Sequence, residues 1–250
     1  MKKIDVNTEV YMGNLTWPAF AERVKTARGV IIPIGSCEQH GHHLPLDTDN
    51  IIGTGYALEL ARRTKCLVTP TFNYGQVWSA RNFPGTIALK PETITQILVE
   101  IIVSLERHGA KNIIMISGHN GNSYVIQRAA RMARDEYDFR NVWFIPSDTP
   151  KAILDEVIET KQIAGKHHAA EMESSLVLAL KPETVQMENA VAEYPDIPKA
   201  QKYRPVGWDE FLKVGVWGDP TKATAEKGRL VMEKKLDYLA GILEELIPAD

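Results

Sequence analysis

Short, continuously apolar runs alternate along the chain with longer segments in which apolar residues recur every three to four positions. The first run, Gly29-Val30-Ile31-Ile32-Pro33-Ile34, is β-branched and unbroken by charge, the pattern of a strand buried on both faces. A polar loop to Asp49 follows, and then a helical pattern over about 51–63. Cys66-Leu67-Val68-Thr69-Pro70 predicts a second strand, 112–117 a third and 141–146 a fourth. Pro91-Glu92-Thr93 opens a helix whose apolar positions, Ile94, Ile97, Leu98, Ile101, Ile102 and Leu105, repeat near 3.6. It closes at His108-Gly109, with glycine as the C-cap. Further helices are predicted over 125–134, 171–180 and 223–246, and the Pro-, Gly- and Trp-rich stretch 194–220 reads as a loop excursion. Strands alternating with helices at these lengths predict a parallel sheet with helices on both faces.

In such a sheet, ligands gather beyond the carboxyl ends of the strands. The polar loop after strand one and the Gly-His-Asn-Gly-Asn turn after strand three emerge on that same edge. At 250 residues the chain is expected to form one domain over 1–250. Its net charge of −3 supplies no basic field for a nucleic acid or an anionic membrane. No apolar run approaches the ~20 residues needed to cross a bilayer, and no apolar signal core follows Lys2 and Lys3. Two cysteines are too few for a disulfide framework, so a reducing cytoplasm is the expected location.

The histidines change the picture. Six of the seven fall in three short segments: His40, His42 and His43; His119; His167 and His168. The first segment, 35–49, also carries Glu38, Asp47 and Asp49, and imidazole with carboxylate is a donor set suited to zinc-like divalent ions, singly or as a bridged pair. Glu38 and His40, two apart, point the same way in an extended segment. In the second, Ser117-Gly118-His119-Asn120-Gly121-Asn122, glycines allow a tight turn that presents His119, with Asn122 either a helix N-cap or a site residue. In the third, the small pair Ala169-Ala170 permits close backbone approach. A helix starting there brings Glu173 and the histidines to one side, while Glu171 equally fits a solvated, dipole-favoured helix start.

These three segments, in this order, resemble the creatininase family of metal-dependent amidohydrolases. The resemblance is carried by Glu38-Gln39-His40-Gly41 with Asp49 downstream, Gly118-His119-Asn120-Gly121-Asn122, and His168-Ala169-Ala170-Glu171-Met172-Glu173-Ser174. Phe83-Pro84-Gly85-Thr86 and Gly218-Asp219-Pro220 with Ala223–Gly228 echo it, so that it spans about 30–230. It implies a three-layer α/β/α sandwich, a mostly parallel sheet, a homohexamer, and two divalent metals per chain, zinc with zinc, manganese or iron. It also implies that Glu38, Asp49 and His119 hold one metal and His40 and Asp49 the other, with Asp49 bridging. Where creatininase completes the second metal with a glutamate, this chain has Gly121, and the role passes to Glu173. His168 matches the proton-transferring histidine, which makes His168 and Glu173 the catalytic candidates. Asn120, in place of an aromatic residue, and His167, in place of a glutamate, bear against creatinine itself as the substrate.

The activity this implies is cleavage of a C–N bond in a small cyclic amide or formamide-type substrate by metal-activated hydroxide. Family members acting on a keto sugar or a peptide cofactor precursor are the alternative, and a non-catalytic metal-binding protein is the rival from another class. The excess of candidate ligands over one tetrahedral shell weighs against a structural site. A nucleotide-binding reading lacks both a Walker lysine and Gly-x-Gly-x-x-Gly. Cys37 is expected to be a small buried thiol, His42 a loop residue, and His43 either a support for a ligand or a loop residue. Trp78, Phe83, Trp208 and Trp217 stand in long loops, as pocket roof or as core.

Overall fold

The computed structural model describes residues 5–160 and 167–247. Four strands, β1 Val30–Ile34, β2 Leu67–Val68, β3 Ile113–Ser117 and β4 Val142–Ile145, form a sheet in the order β2-β1-β3-β4, parallel throughout. The helices among the described residues are α1 Trp17–Thr26, α2 Thr48–Thr64, α3 Pro91–Arg107, α4 Ser123–Tyr137, α5 Lys151–Val157, α6 Glu171–Leu180 and α7 Ala225–Leu246. Side chains alternate across the sheet, so Ile31, Ile114 and Ile116 pack with α2, α5, α6 and α7 on one face. Val30, Ile32, Ile113 and Met115 pack with α1, α3 and α4 on the other. The result is the expected three-layer sandwich, with β1, β2 and β3 buried on both sides and the edge strand β4 only partly covered.

Three elements depart from the sequence reading. The second strand is two residues long rather than five. Pro70 has no N–H to donate, and although Phe72 N–H reaches Pro33 O at 3.0 Å, the regular ladder with β1 stops at Val68. Helices α1 and α5 were not predicted, because each buries too few residues to write a period: Val24 alone in α1, Leu154 and Val157 in α5. The stretch 194–220 is irregular as expected, broken by short 3₁₀ turns at Lys199–Lys202 and Trp208–Glu210.

The topology fixes where chemistry can gather. From β1 the chain crosses through α2 to β2 on one side, while β3 flanks β1 on the other, so a crevice opens beyond Ile34 and its register partner Ser117. Helix α2 lies hard against that crevice. A Cβ on Gly118 would fall 2.1 Å from the Asp49 carbonyl oxygen, so only glycine lets the β3 loop pass under the first turn of α2.

Candidate metal centre

Five elements deliver side chains into the crevice. The loop after β1 carries Glu38 and His40, the first turn of α2 carries Asp49, and the loop after β3 carries His119. The segment ahead of α6 carries His168, and the first turn of α6 carries Glu173. Glu38, His40 and Asp49 are each 1% exposed, an unusual depth for two carboxylates. Local bonds set their directions. The His40 Nδ1 edge faces the Glu38 carbonyl at 3.1 Å, turning Nε2 inward. Ser36 Oγ donates to Asp49 Oδ2 at 2.6 Å. His119 Nε2 is held at the Gln76 carbonyl at 2.9 Å, which turns Nδ1 into the site.

The inward atoms converge. His119 Nδ1 lies 3.1 Å from Glu38 Oε2 and 3.0 Å from Asp49 Oδ2, and His40 Nε2 lies 3.3 Å from Asp49 Oδ1. Despite these distances, Glu38 Oε2 and His40 Nε2 make no aligned hydrogen bond among the described residues. They are aimed at common points rather than at each other. Among the described residues, three triads have all their ligand atoms within 4.8 Å: Glu38, Asp49 and His119; His40, Asp49 and Glu173; Glu38, His40 and His168. Asp49 belongs to the first two. Gly121, where a fifth ligand would otherwise stand, has no room for a side chain, since its Cβ would lie 2.4 Å from both Gln76 O and His119 Nε2.

Buried charge this dense must be balanced. Burial alone would raise the Asp49 carboxyl, but His40 and His119 overcome it and hold it far below the carboxylate range. Glu38 is likewise lowered against burial, chiefly by His119. Burial disfavours a charged His40, yet Asp49 beside it, with Glu173 and Glu38, lifts its pKa to about 9. His119 is raised well above the ordinary value by Glu38 and Asp49, also against burial. The protonated imidazoles thus stand where divalent cations would. Oxygen and imidazole donors sharing one carboxylate form a set that fits two borderline divalent ions.

His168 sits beside this cluster, its ring 4.4 Å from that of His40 and 4.7 Å from Trp208. Its backbone is pinned by a two-way bridge to Trp217, with His168 N–H on Trp217 O at 3.1 Å and the reverse at 2.8 Å. The next residue, Ala169, has φ +50°, a left-handed conformation that costs a non-glycine residue about 1–2 kcal/mol. Its N–H meets Glu173 Oε2 at 2.6 Å. His168 Nε2 lies 2.8 Å from the Gln39 carbonyl and 3.0 Å from the Gln39 side-chain nitrogen. Protonated, Nε2 donates to the carbonyl; bare, it accepts from the amide, so the ring has a partner in either tautomer. Burial, then the neighbouring His40, holds its pKa below the ordinary value.

Glu38, His40, Asp49, His119, Glu173 and His168 are therefore brought together, while other expectations change. Glu171 is not a solvated helix start: it is fully buried and accepts from the N–H groups of Glu159 and Thr160 and from Lys227. Asn122 does not cap α4 with its side chain; buried, it donates to Gly35 O and accepts from Gln76 N–H, tying the two loops together. Cys37 is only half-buried, its thiol on Gly85 O at 3.4 Å. His42 is exposed, whereas His43 is buried with Nε2 2.8 Å from Ser174 Oγ. Trp208 and Trp217 line the site's cavity, while Trp78 lies outside it beneath the Arg81 guanidinium. Sequence reasoning missed Gln39 and Ser174 as supports, though both lie inside the motifs already quoted. It also missed Gln76, whose backbone carbonyl leaves no side-chain signal.

The family model for creatininase, described as creatinine amidohydrolase, matches residues 13–243. The chain belongs to the creatininase family. Creatinine amidohydrolase of Pseudomonas putida is 29% identical over 260 residues, covering 97% of this chain and 99% of that protein. The mycofactocin precursor peptide peptidase of Mycobacterium tuberculosis is 31% identical over 238 residues, covering 90% and 88%. The 3-dehydro-scyllo-inosose hydrolase of Thermotoga maritima is 30% identical over 270 residues, covering 96% and 84%. A crystal structure of creatinine amidohydrolase superposes with a TM-score of 0.87 at 28% identity, covering 97% of this chain and 99% of that one. Solved creatininases include a manganese form and a Zn–Zn form. As a member of the creatininase family this chain is an amidohydrolase, and its crevice of buried carboxylates and imidazoles holds the candidate metal-binding groups.

Proposed function

We propose that the chain is a two-metal amidohydrolase that cleaves a C–N bond of a small cyclic amide or formamide-type substrate. The observation that carries this is Asp49, one buried carboxylate shared by two complete triads of ligand atoms. Glu38, Asp49 and His119 would hold one ion and His40, Asp49 and Glu173 the other. The pair would be zinc with zinc, manganese or iron. When bound, such a pair lowers the pKa of water from about 15.7 toward 7 and polarises a substrate carbonyl.

The chain's own residues do the rest. Ser36 holds Asp49 Oδ2 by donating to it, which fixes the carboxylate that both ions would share. His168 takes the proton from the nucleophile and returns it to the departing nitrogen. Its two alternative bonds to Gln39 keep the ring in place through both protonation changes. Trp208 and Trp217 wall the cavity and limit water to the crevice. The protein works as one domain, in a homohexamer in the cytoplasm. No helix among the described residues is long and apolar enough to cross a membrane.

The test is a screen of cyclic amides and formamides against wild type, His168→Ala and chelator-treated protein. Turnover lost to chelator and restored by zinc or manganese is expected, with His168→Ala keeping its metals but slowed about 10²–10⁴-fold. Full turnover in His168→Ala would remove the proton-transfer role, and metal loss would make His168 a ligand.

A further inference from the structure

The cavity of about 280 Å³ that contains the proposed centre has a second polar end. Tyr56 lies seven residues beyond Asp49 on α2, about 10 Å along the helix axis, with Ile52 between them on the cavity wall. Lys235, from α7, reaches this far end. It is only 3% exposed; its Nζ donates to Ser147 O at 2.6 Å and lies 4.8 Å from the centre of the Tyr56 ring. No carboxylate among the described residues comes within ion-pair distance of it. Asp148, exposed to solvent, is the one charge among the described residues that offsets its burial, and the ammonium is held near a pKa of about 8, still a cation at neutral pH. Two hydroxyls on the same cavity wall, Tyr56 Oη and Thr149 Oγ1, are buried without a hydrogen-bond partner among the described residues.

A buried ammonium lacking a counter-ion is unfavourable, and buried orphan donors are rare enough to need a reason. A lysine serving only to cap the Ser147 carbonyl would use one donor and would not need two unpaired hydroxyls beside it. The buried part of this end is rich in donors and carries a cation, while Asp148, the carboxylate on the same wall, is exposed to solvent. Its complement is a small anion with several acceptor positions.

We propose that Lys235, with Tyr56 and Thr149, binds a carboxylate carried by the substrate about 8–10 Å from the carbonyl under attack. The inference rests on the two-metal reading and narrows it. The substrate is an amide or formamide whose apolar spacer runs past Ile52, Met172 and Leu176 to a terminal carboxylate, not a small uncharged ring.

Two hydroxamates of equal length test this, because hydroxamates chelate the metals and read binding without turnover. Suberic acid monohydroxamate ends in a carboxylate, and octanohydroxamate ends in a methyl group. Calorimetric titration of the zinc-loaded full chain is expected to show the acid binding at least about tenfold tighter. In Lys235→Met the difference should collapse to under about threefold. Succinic acid monohydroxamate, too short to reach, should gain nothing over butanohydroxamate. Equal affinities in the wild type, or a preference that survives in Lys235→Met, would overturn the proposal. Should Lys235→Met not fold, Tyr56→Phe with Thr149→Val and the chain-length series on wild type carry the same decision. Octanohydroxamate binding that is indifferent to chelator would instead overturn the metal centre, so the two failures are read separately.

Discussion

Asp49 and its imidazole neighbours form a charge cluster whose proton content follows from position. In the metal-free chain His40, with its pKa near 9, and His119, also raised, are both protonated at neutral pH. Ligation requires neutral imidazole, so zinc added at pH 7 should release about two protons per chain, and apparent affinity should climb with pH until about 9. Calorimetry in buffers of different ionisation enthalpy measures this; loading without proton release would contradict the cluster's charge balance. His43 behaves oppositely. Burial first, then the neighbouring imidazoles, His40 foremost, lowers its pKa to about 4. Its folded pKa lies below the unfolded value of about 6.5, so the folded chain binds fewer protons between them. The stability this contributes is present above about 6.5 and lost as pH falls to about 4, by up to about 3 kcal/mol. Denaturation of wild type and His43→Gln across that window should show their difference shrinking toward acid, and a pH-independent difference would count against the assignment.

At the scale of elements, the site depends on how α7 seats against α6. A Cβ on Gly228 would fall 1.9 Å from the Ser175 carbonyl oxygen, so Gly228→Ala must push the helices apart. Overpacking of this kind costs about 1–3 kcal/mol or more, read as a lowered denaturation midpoint, and it should loosen Lys227 from Glu171. An unchanged midpoint would mean the contact is not tight. The same elements show what was legible in the chain. Strand β1 is a run of five apolar residues and β3 one of four followed by Ser117, and α3 carries a clean period over residues 94–105, so burial on a sheet leaves an unmistakable pattern. Helices that bury one or two residues, such as α1 and α5, leave none. The ligand candidates were legible because their residue types are costly to bury without a partner. Gln76 and Ser147 act through backbone carbonyls, which no residue identity records. Lys235 had a signal that went unread: a cation four residues from both Val231 and Leu239, on the apolar stripe of α7.

For the whole molecule, the order β2-β1-β3-β4 decides where function sits, since the crevice at the ends of β1 and β3 collects residues from loops far apart in sequence. Helices from one face of the sheet reach it, with α2 and α6 supplying ligands and α7 closing the far end of the cavity. Light scattering on the eluting full-length protein is expected to give a hexamer, and a monomer would contradict the proposed assembly. The central claim, though, is that one buried carboxylate joins two metal sites. Its most direct test is metal content per chain, by elemental analysis of protein purified without chelator, in the wild type and in Asp49→Ala. The account expects two ions in the wild type and a loss of both in the variant; one ion or none in the wild type, or two retained without Asp49, would contradict it.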